Sequence, residues 1–126
     1  MKQMVYKTQW EHELLEYNTY MGYNYAVVSQ GLFLCGYVEI PPDYPCPREN
    51  MRSLGILCRG GITFTGNCLE DLGISPDTFW IGWDYGHGYD LRDARALAFH
   101  EYTTGDVVIE CHRVINQLVN IRSKLT

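Results

Sequence analysis

Paired cysteine spacings, long apolar runs and an excess of basic charge are all missing from this chain of 126 residues. Each absence removes a class of protein. The five cysteines (Cys35, Cys46, Cys58, Cys68 and Cys111) are odd in number, show no CxxC spacing and follow no secretory signal, so they read as reduced thiols of a cytoplasmic protein. His12, His87, His100 and His112 add no paired ligand spacing, which argues against a zinc site. No run approaches the length of a membrane-spanning helix. Ten basic against fifteen acidic side chains leave a net charge of −5, which opposes binding to DNA, RNA or an anionic membrane. A small anion held by a local cluster of arginines stays compatible with that charge. GxxxxGK[ST] and GxSxG are also absent, removing a nucleoside-triphosphate loop and a hydrolase nucleophile elbow.

What is present describes one globular domain over residues 1–126, with 46% hydrophobic and 20% charged residues. Ten tyrosines are the compositional excess. Tyrosine offers a flat face and one hydrogen bond, and it serves both contact surfaces and sheets. The densest window is Trp80-Ile81-Gly82-Trp83-Asp84-Tyr85-Gly86-His87-Gly88-Tyr89-Asp90, with two Trp, two Tyr, two Asp, one His and three Gly. Its first half alternates as a buried strand, with Phe79, Ile81 and Trp83 on one face and Trp80, Gly82 and Asp84 on the other. Its glycine-rich second half reads as a loop delivered by that strand.

The remaining pattern predicts strands first and helices last. Val5–Trp10, Tyr23–Ser29, Leu32–Ile40, Leu54–Leu57, Ile62–Thr65 and Phe79–Asp84 read as strands, with a hairpin break at Gln30-Gly31. Four prolines between Pro41 and Pro47 make a surface loop that continues to Ser53. One helical turn at Leu69–Leu72 would end at Gly73. A short helix is expected within Asp90–His100, then a long one capped by Thr103 or Thr104. The expected fold is therefore α+β: an antiparallel sheet of about five to six strands, a short helix and a long C-terminal helix. On the last helix, Cys111, Val114, Leu118, Ile121 and Leu125 form one stripe and Val108, Ile115 and Val119 a second. That face is wider than docking on one sheet requires, which points to a homodimer through this helix.

Three constellations carry possible chemistry. Asp84, His87 and Asp90 are spaced D-x-x-H-x-x-D, which suits a divalent ion, acid–base work, or carboxylates that simply accept loop amides. Arg59-Gly60-Gly61 offers a small backbone nest for an anion, or an ordinary turn. Arg92 and Arg95 stand one helical turn apart, and Arg113 borders the apolar stripe, where a guanidinium suits bidentate capture of phosphate. Neither Cys35 nor Cys111 has an activating neighbour pattern. Nothing in the sequence calls for a cofactor or a resident metal.

Three segments, Cys35-Gly36-Tyr37-Val38-Glu39-Ile40-Pro41, Gly60-Gly61-Ile62-Thr63-Phe64 and the Trp80–Asp90 window, resemble the first family of Thoeris anti-defence proteins of bacteriophages. Glu110 and Asn116-Gln117-Leu118 on the last helix fit the same pattern, and the resemblance spans about Gly22 to Val119. It implies a non-enzymatic sponge in the host cytoplasm that sequesters a cyclic ADP-ribose isomer made by a TIR-domain enzyme, in pockets at a homodimer interface. It further implies that Trp83 stacks on the adenine, Arg113 contacts the diphosphate, and Asp90, Arg92 or Asp93 reads the ligand. Some members also hold cyclic oligonucleotides. The Asp90–His100 segment is longer than the family pattern. Taken with the constellations above, the candidate ligand set is Trp83, Asp84, His87, Asp90, Arg92, Arg95 and Arg113. Two other classes fit parts of the sequence: an anti-CRISPR-like inhibitor of a host protein complex, and a metal-dependent hydrolase built on Asp84, His87 and Asp90.

Overall fold

In the computed structural model, which describes residues 12–31, 33–67, 69–86 and 102–125, the β-branched and aromatic runs form the middle of one antiparallel sheet. Its strands are β1 (Glu13–Tyr20), β2 (Tyr23–Ser29), β3 (Leu34–Ile40), β4 (Phe64–Gly66) and β5 (Phe79–Asp84), in the order β1-β2-β3-β5-β4. One long helix, α1 (Thr104–Leu125), follows. The chain is therefore α+β, as its element order implies. The Val5–Trp10 strand and the short helix within Asp90–His100 fall outside the described residues.

The sheet is buried on both faces. Tyr25, Val27, Val38, Ile40, Ile81 and Trp83 pack beneath α1, while Ala26, Val28, Cys35, Tyr37 and Trp80 pack on the other side with Leu69 and Ile74. The period-2 alternation of β5 is as the sequence predicts, with Trp83 toward the helix and Trp80 away from it. A reciprocal pairing ties β3 to β5. Gly36 lies opposite Trp83, and Tyr37 lies opposite Gly82. A Cβ on Gly36 would stand 2.6 Å from the Trp83 ring, and one on Gly82 would stand 2.5 Å from the Tyr37 ring. Each glycine thus accepts an aromatic ring across the strand, one on each face of the sheet.

Several expectations need correction. Strand β1 has no counterpart among the strands expected from sequence, because Glu13-Leu14-Leu15-Glu16 lacks strand character by itself. It forms by pairing with β2 across a Met21-Gly22 turn, both residues taking left-handed φ (51° and 82°). The β2–β3 connection runs through Phe33, whose carbonyl accepts from the Gln30 amide at 2.8 Å, so β3 begins at Leu34 rather than Leu32. Residues 48–54 are a 3-10 helix rather than loop, with Met51 buried and Gly55 ending it in the left-handed region. Leu54–Leu57 is not a strand: the Gln117 side chain bonds both the amide (2.7 Å) and the carbonyl (2.8 Å) of Leu57, replacing a ladder partner. Ile62–Thr65 contracts to Phe64–Gly66. The expected turn before Gly73 is present as a 3-10 helix, Glu70–Leu72.

Helix α1 begins at a reciprocal cap: Thr103 Oγ1 accepts from the Asp106 amide at 3.1 Å, and Asp106 Oδ2 accepts from the Thr103 amide at 3.0 Å. Val107, Cys111, Val114, Ile115 and Leu118 are fully buried, each large aliphatic among them contributing about 1.5–3 kcal/mol. Val108, Val119 and Ile121 pack partly against the same core. The two apolar stripes are thus covered within the chain, because Tyr44, Met51 and Ile56 extend the surface on which the helix lies. Tyr44 also donates a buried hydrogen bond to the Leu118 carbonyl at 2.8 Å. Leu118 is a core residue, and the stripes do not supply the exposed surface expected of a dimer interface. Leu125, at the end of the first stripe, is 51% exposed.

The glycine–aromatic pairing makes a direct prediction. Gly36→Ala should lower unfolding stability by about 1–3 kcal/mol in urea titration, since the added methyl meets a Trp83 ring that has no space to retreat. Stability equal to the parent would show that β3 and β5 tolerate separation.

Candidate functional site

The C-terminal end of β5 sorts its side chains to two faces. Trp83 and Tyr85 point toward α1, and Asp84 points to the opposite side. Trp83 is 1% exposed, its ring lying across Gly36 and its Nε1–H donating to the Tyr85 hydroxyl at 3.2 Å. An adenine has no access to that ring in this packing, so the stacking role implied by the resemblance does not fit Trp83 as it stands. Asp84 Oδ1 accepts from the Gly86 amide at 3.0 Å, and Oδ2 accepts from Thr63 Oγ1 at 3.4 Å. These bonds end the strand, which is the structural role open to it from sequence. His87, Asp90, Arg92 and Arg95 lie outside the described residues. Arg113 is exposed on α1, and its carbonyl accepts from Gln117 at 3.3 Å. Asp84 and Arg113 are not brought together, because the sheet lies between them.

A different set of groups does converge, on the helix side of β5. Tyr85 passes a hydrogen bond from Trp83 to Glu110: its hydroxyl accepts the indole N–H and donates to Glu110 Oε1 at 3.4 Å. The rings of Tyr85 and Tyr102 are 4.7 Å apart and tilted by 49°. The Arg59 guanidinium stands 4.8 Å from the centre of the Tyr102 ring, within cation–π range. The Glu110 charge on the helix adds to burial in disfavouring the Cys58 thiolate in the neighbouring loop. The cluster therefore holds a buried ring, Tyr85, a half-buried one, Tyr102, a guanidinium over Tyr102 and a carboxylate bonded to Tyr85. It also sits where residues 87–101 leave the described fold, after Gly86, and rejoin it, before Tyr102.

Sequence spacing missed this cluster because its members come from three separate places. The available signal was alternation: Tyr85 follows Trp83 by two and shares its face. The Arg59-Gly60-Gly61 stretch contributes its guanidinium rather than a nest. The Gly61 amide donates to the Cys58 carbonyl at 3.0 Å, closing a turn instead of facing an anion. His112 is occupied elsewhere, stacked on Tyr20 at 4.0 Å and edge-on to Tyr25 at 5.2 Å.

Electrostatics argue against Cys58 and Cys111 as nucleophiles. Burial, with Glu110 adding to it, pushes the Cys58 thiol from 9.0 up to about 12. Burial likewise pushes Cys111 from 9.0 up to about 12. At neutral pH neither is the thiolate that attack requires. Burial raises the Tyr85 phenol too, keeping it a hydrogen-bond donor. No group of three metal-ligating side chains occurs among the described residues, and no helix among them is long and apolar enough to cross a membrane.

No protein-family model, curated protein or solved structure matches this chain. The likeness to the anti-defence family thus rests on the residues of the three segments, and two of their glycines, Gly36 and Gly82, have a packing role.

The raised thiols carry a pH signature. The unfolded chain releases these protons near 9.0, whereas the fold holds them to about 12. Their contribution is complete below about pH 9 and is lost as pH rises toward about 12. The urea midpoint should fall across that window, and Cys58→Ala should make the fall shallower. A midpoint that stays level in the parent protein would refute the assignment of buried, protonated thiols.

Proposed function

We propose that this protein is a phage anti-defence sponge that binds a cyclic adenine nucleotide, a cyclic ADP-ribose isomer, in the host cytoplasm and does not cleave it. The observation that carries the reading is the Arg59–Tyr102–Tyr85–Glu110 cluster at the junction with residues 87–101. A flat aromatic surface, a guanidinium and a carboxylate are the three groups that a base, a phosphate and a polar donor require. Base stacking on tyrosine contributes about 1–3 kcal/mol. His87, Asp90, Arg92 and Arg95 lie outside the described residues and remain ligand-contacting candidates on the sequence alone. Tyr102 takes the stacking role in place of the buried Trp83. The protonated thiols support a binder over an enzyme with a cysteine nucleophile.

The protein acts as a homodimer through the outer face of α1 rather than through its buried stripes. Ile109 is 53% exposed, with exposed Asp106 three residues before it and exposed Arg113 four after it. An antiparallel copy centred beside Ile109 sets each Asp106 against the other's Arg113 and joins the two isoleucines. This places Arg113 at the seam, one helical turn from Glu110.

Two measurements test the reading. Equilibrium dialysis against the cyclic ADP-ribose isomer, followed by denaturation, should return the ligand intact. Recovery of a cleaved product would favour a hydrolase, while a stoichiometric host protein with no nucleotide uptake would favour the protein-inhibitor class. Ile109→Asp should leave the fold unchanged, halve the mass in light scattering and weaken uptake. An unchanged mass would remove α1 from the interface.

A further inference from the structure

Strand β1 is the long outer edge of the sheet. It has eight residues against three in β4 at the other edge, and no strand among the described residues pairs with its outer side. Tyr20 and Tyr23 flank a two-residue turn whose residues both take left-handed φ. Ladder alternation from that turn aims the Thr19 and Tyr17 backbone groups away from β2. The Thr19 amide shows this directly, since it bonds Asn18 Oδ1 at 2.9 Å rather than a strand. A bulge between Leu14 and Glu16 bounds the regular stretch at Glu16–Tyr20. Six large apolar side chains stay exposed among the described residues, and three of them, Leu15, Tyr17 and Met21, belong to this strand and its turn.

The two faces of the edge ask for different chemistry. Tyr17 lies opposite Ala26 on the face away from α1, 49% exposed, its ring 6.2 Å from that of buried Trp80. Glu16 and Asn18 lie opposite Val27 and Tyr25 on the α1 face. There Glu16 Oε2 accepts a long bond, 3.5 Å, from Asn18, whereas an ionised carboxylate offers about four acceptor positions. No lysine or arginine occurs between Lys7 and Arg48, a stretch that holds Glu11, Glu13, Glu16, Glu39 and Asp43. A second copy of β1 would bring carboxylates and no cation to this edge, so charge favours a different occupant.

We propose that β1 is a docking edge for an extended segment of another protein in which basic and apolar residues alternate. The segment adds a strand beside Glu16–Tyr20, its main chain pairing with Tyr17 and Thr19. Its basic side chains fall beside Glu16 and Asn18 and its apolar ones on Tyr17, because side chains opposite one another across a ladder share a face. None of the residues of the nucleotide-binding reading takes part, so the two stand or fall separately.

The probe is a short fluorescein-labelled peptide alternating lysine and valine, titrated into the intact protein by anisotropy. Its controls are a glutamate–valine peptide and a fully N-methylated copy of the lysine peptide. The lysine peptide should bind about threefold or more tightly than the glutamate one at low salt and lose that margin at high salt. N-methylation should abolish binding, and peptide should slow hydrogen exchange at the Tyr17 amide. Glu16→Lys, with its fold checked by circular dichroism, should reverse the charge preference. Equal binding of the lysine and glutamate peptides, or no uptake of either, would overturn the proposal. If nothing binds, Tyr17 protection that is lost on dilution assigns the edge to a second copy, and protection at every dilution assigns it to the chain itself.

Discussion

The close approach of β3 and β5 is the constraint on which the rest of the structure depends. Gly36 and Gly82 each remove a Cβ so that an aromatic ring from the opposite strand lies flat over the backbone. Because the two pairs point to opposite faces, the same two strands organise both hydrophobic clusters at once. Trp83 over Gly36 reaches Val107 at the start of α1, so helix docking and strand pairing share one contact surface. Interiors pack at crystal-like density, and a single methyl in such a place has nowhere to go.

That packing also decides where each aromatic of the β5 end lies. Trp80 and Trp83, the most conspicuous residues of the sequence, are consumed by the core. Tyr85 and Tyr102 stand at the end of the strand and the start of the helix, where the layers part. The hydrogen-bond chain from Trp83 through Tyr85 to Glu110 links the two zones. A buried indole thereby fixes the direction of a partly exposed carboxylate, and burial keeps the intervening phenol protonated.

Much of the fold was legible in the sequence because the responsible forces are local. The alternation in Phe79–Asp84, the cap at Thr103 and the turn before Gly73 each follow from backbone or side-chain preferences within a few residues. Strand β1 was not legible, since an edge strand forms by hydrogen-bonding to a neighbour rather than by its own apolar pattern. Leu54–Leu57 misled for the converse reason: its apolar residues suit a strand, but Gln117, sixty positions away, takes its backbone bonds. In the candidate site, spacing grouped Asp84 with His87 and Asp90, whereas strand alternation sets Asp84 on the far side of the sheet from Glu110 and Arg59.

By itself the sequence determined the class of fold, the strands of the sheet centre, the extent and cap of the last helix, and a charge balance that opposes polyanion binding. Periodicity and composition act along the chain, so they are readable without coordinates. Only the tertiary structure decided that the wide apolar face of α1 is covered from within, that Trp83 is core, and that Arg59, Tyr85, Tyr102 and Glu110 meet. Those outcomes depend on which surfaces oppose one another across the layers, and a linear pattern specifies how many apolar faces a chain has without specifying what covers them.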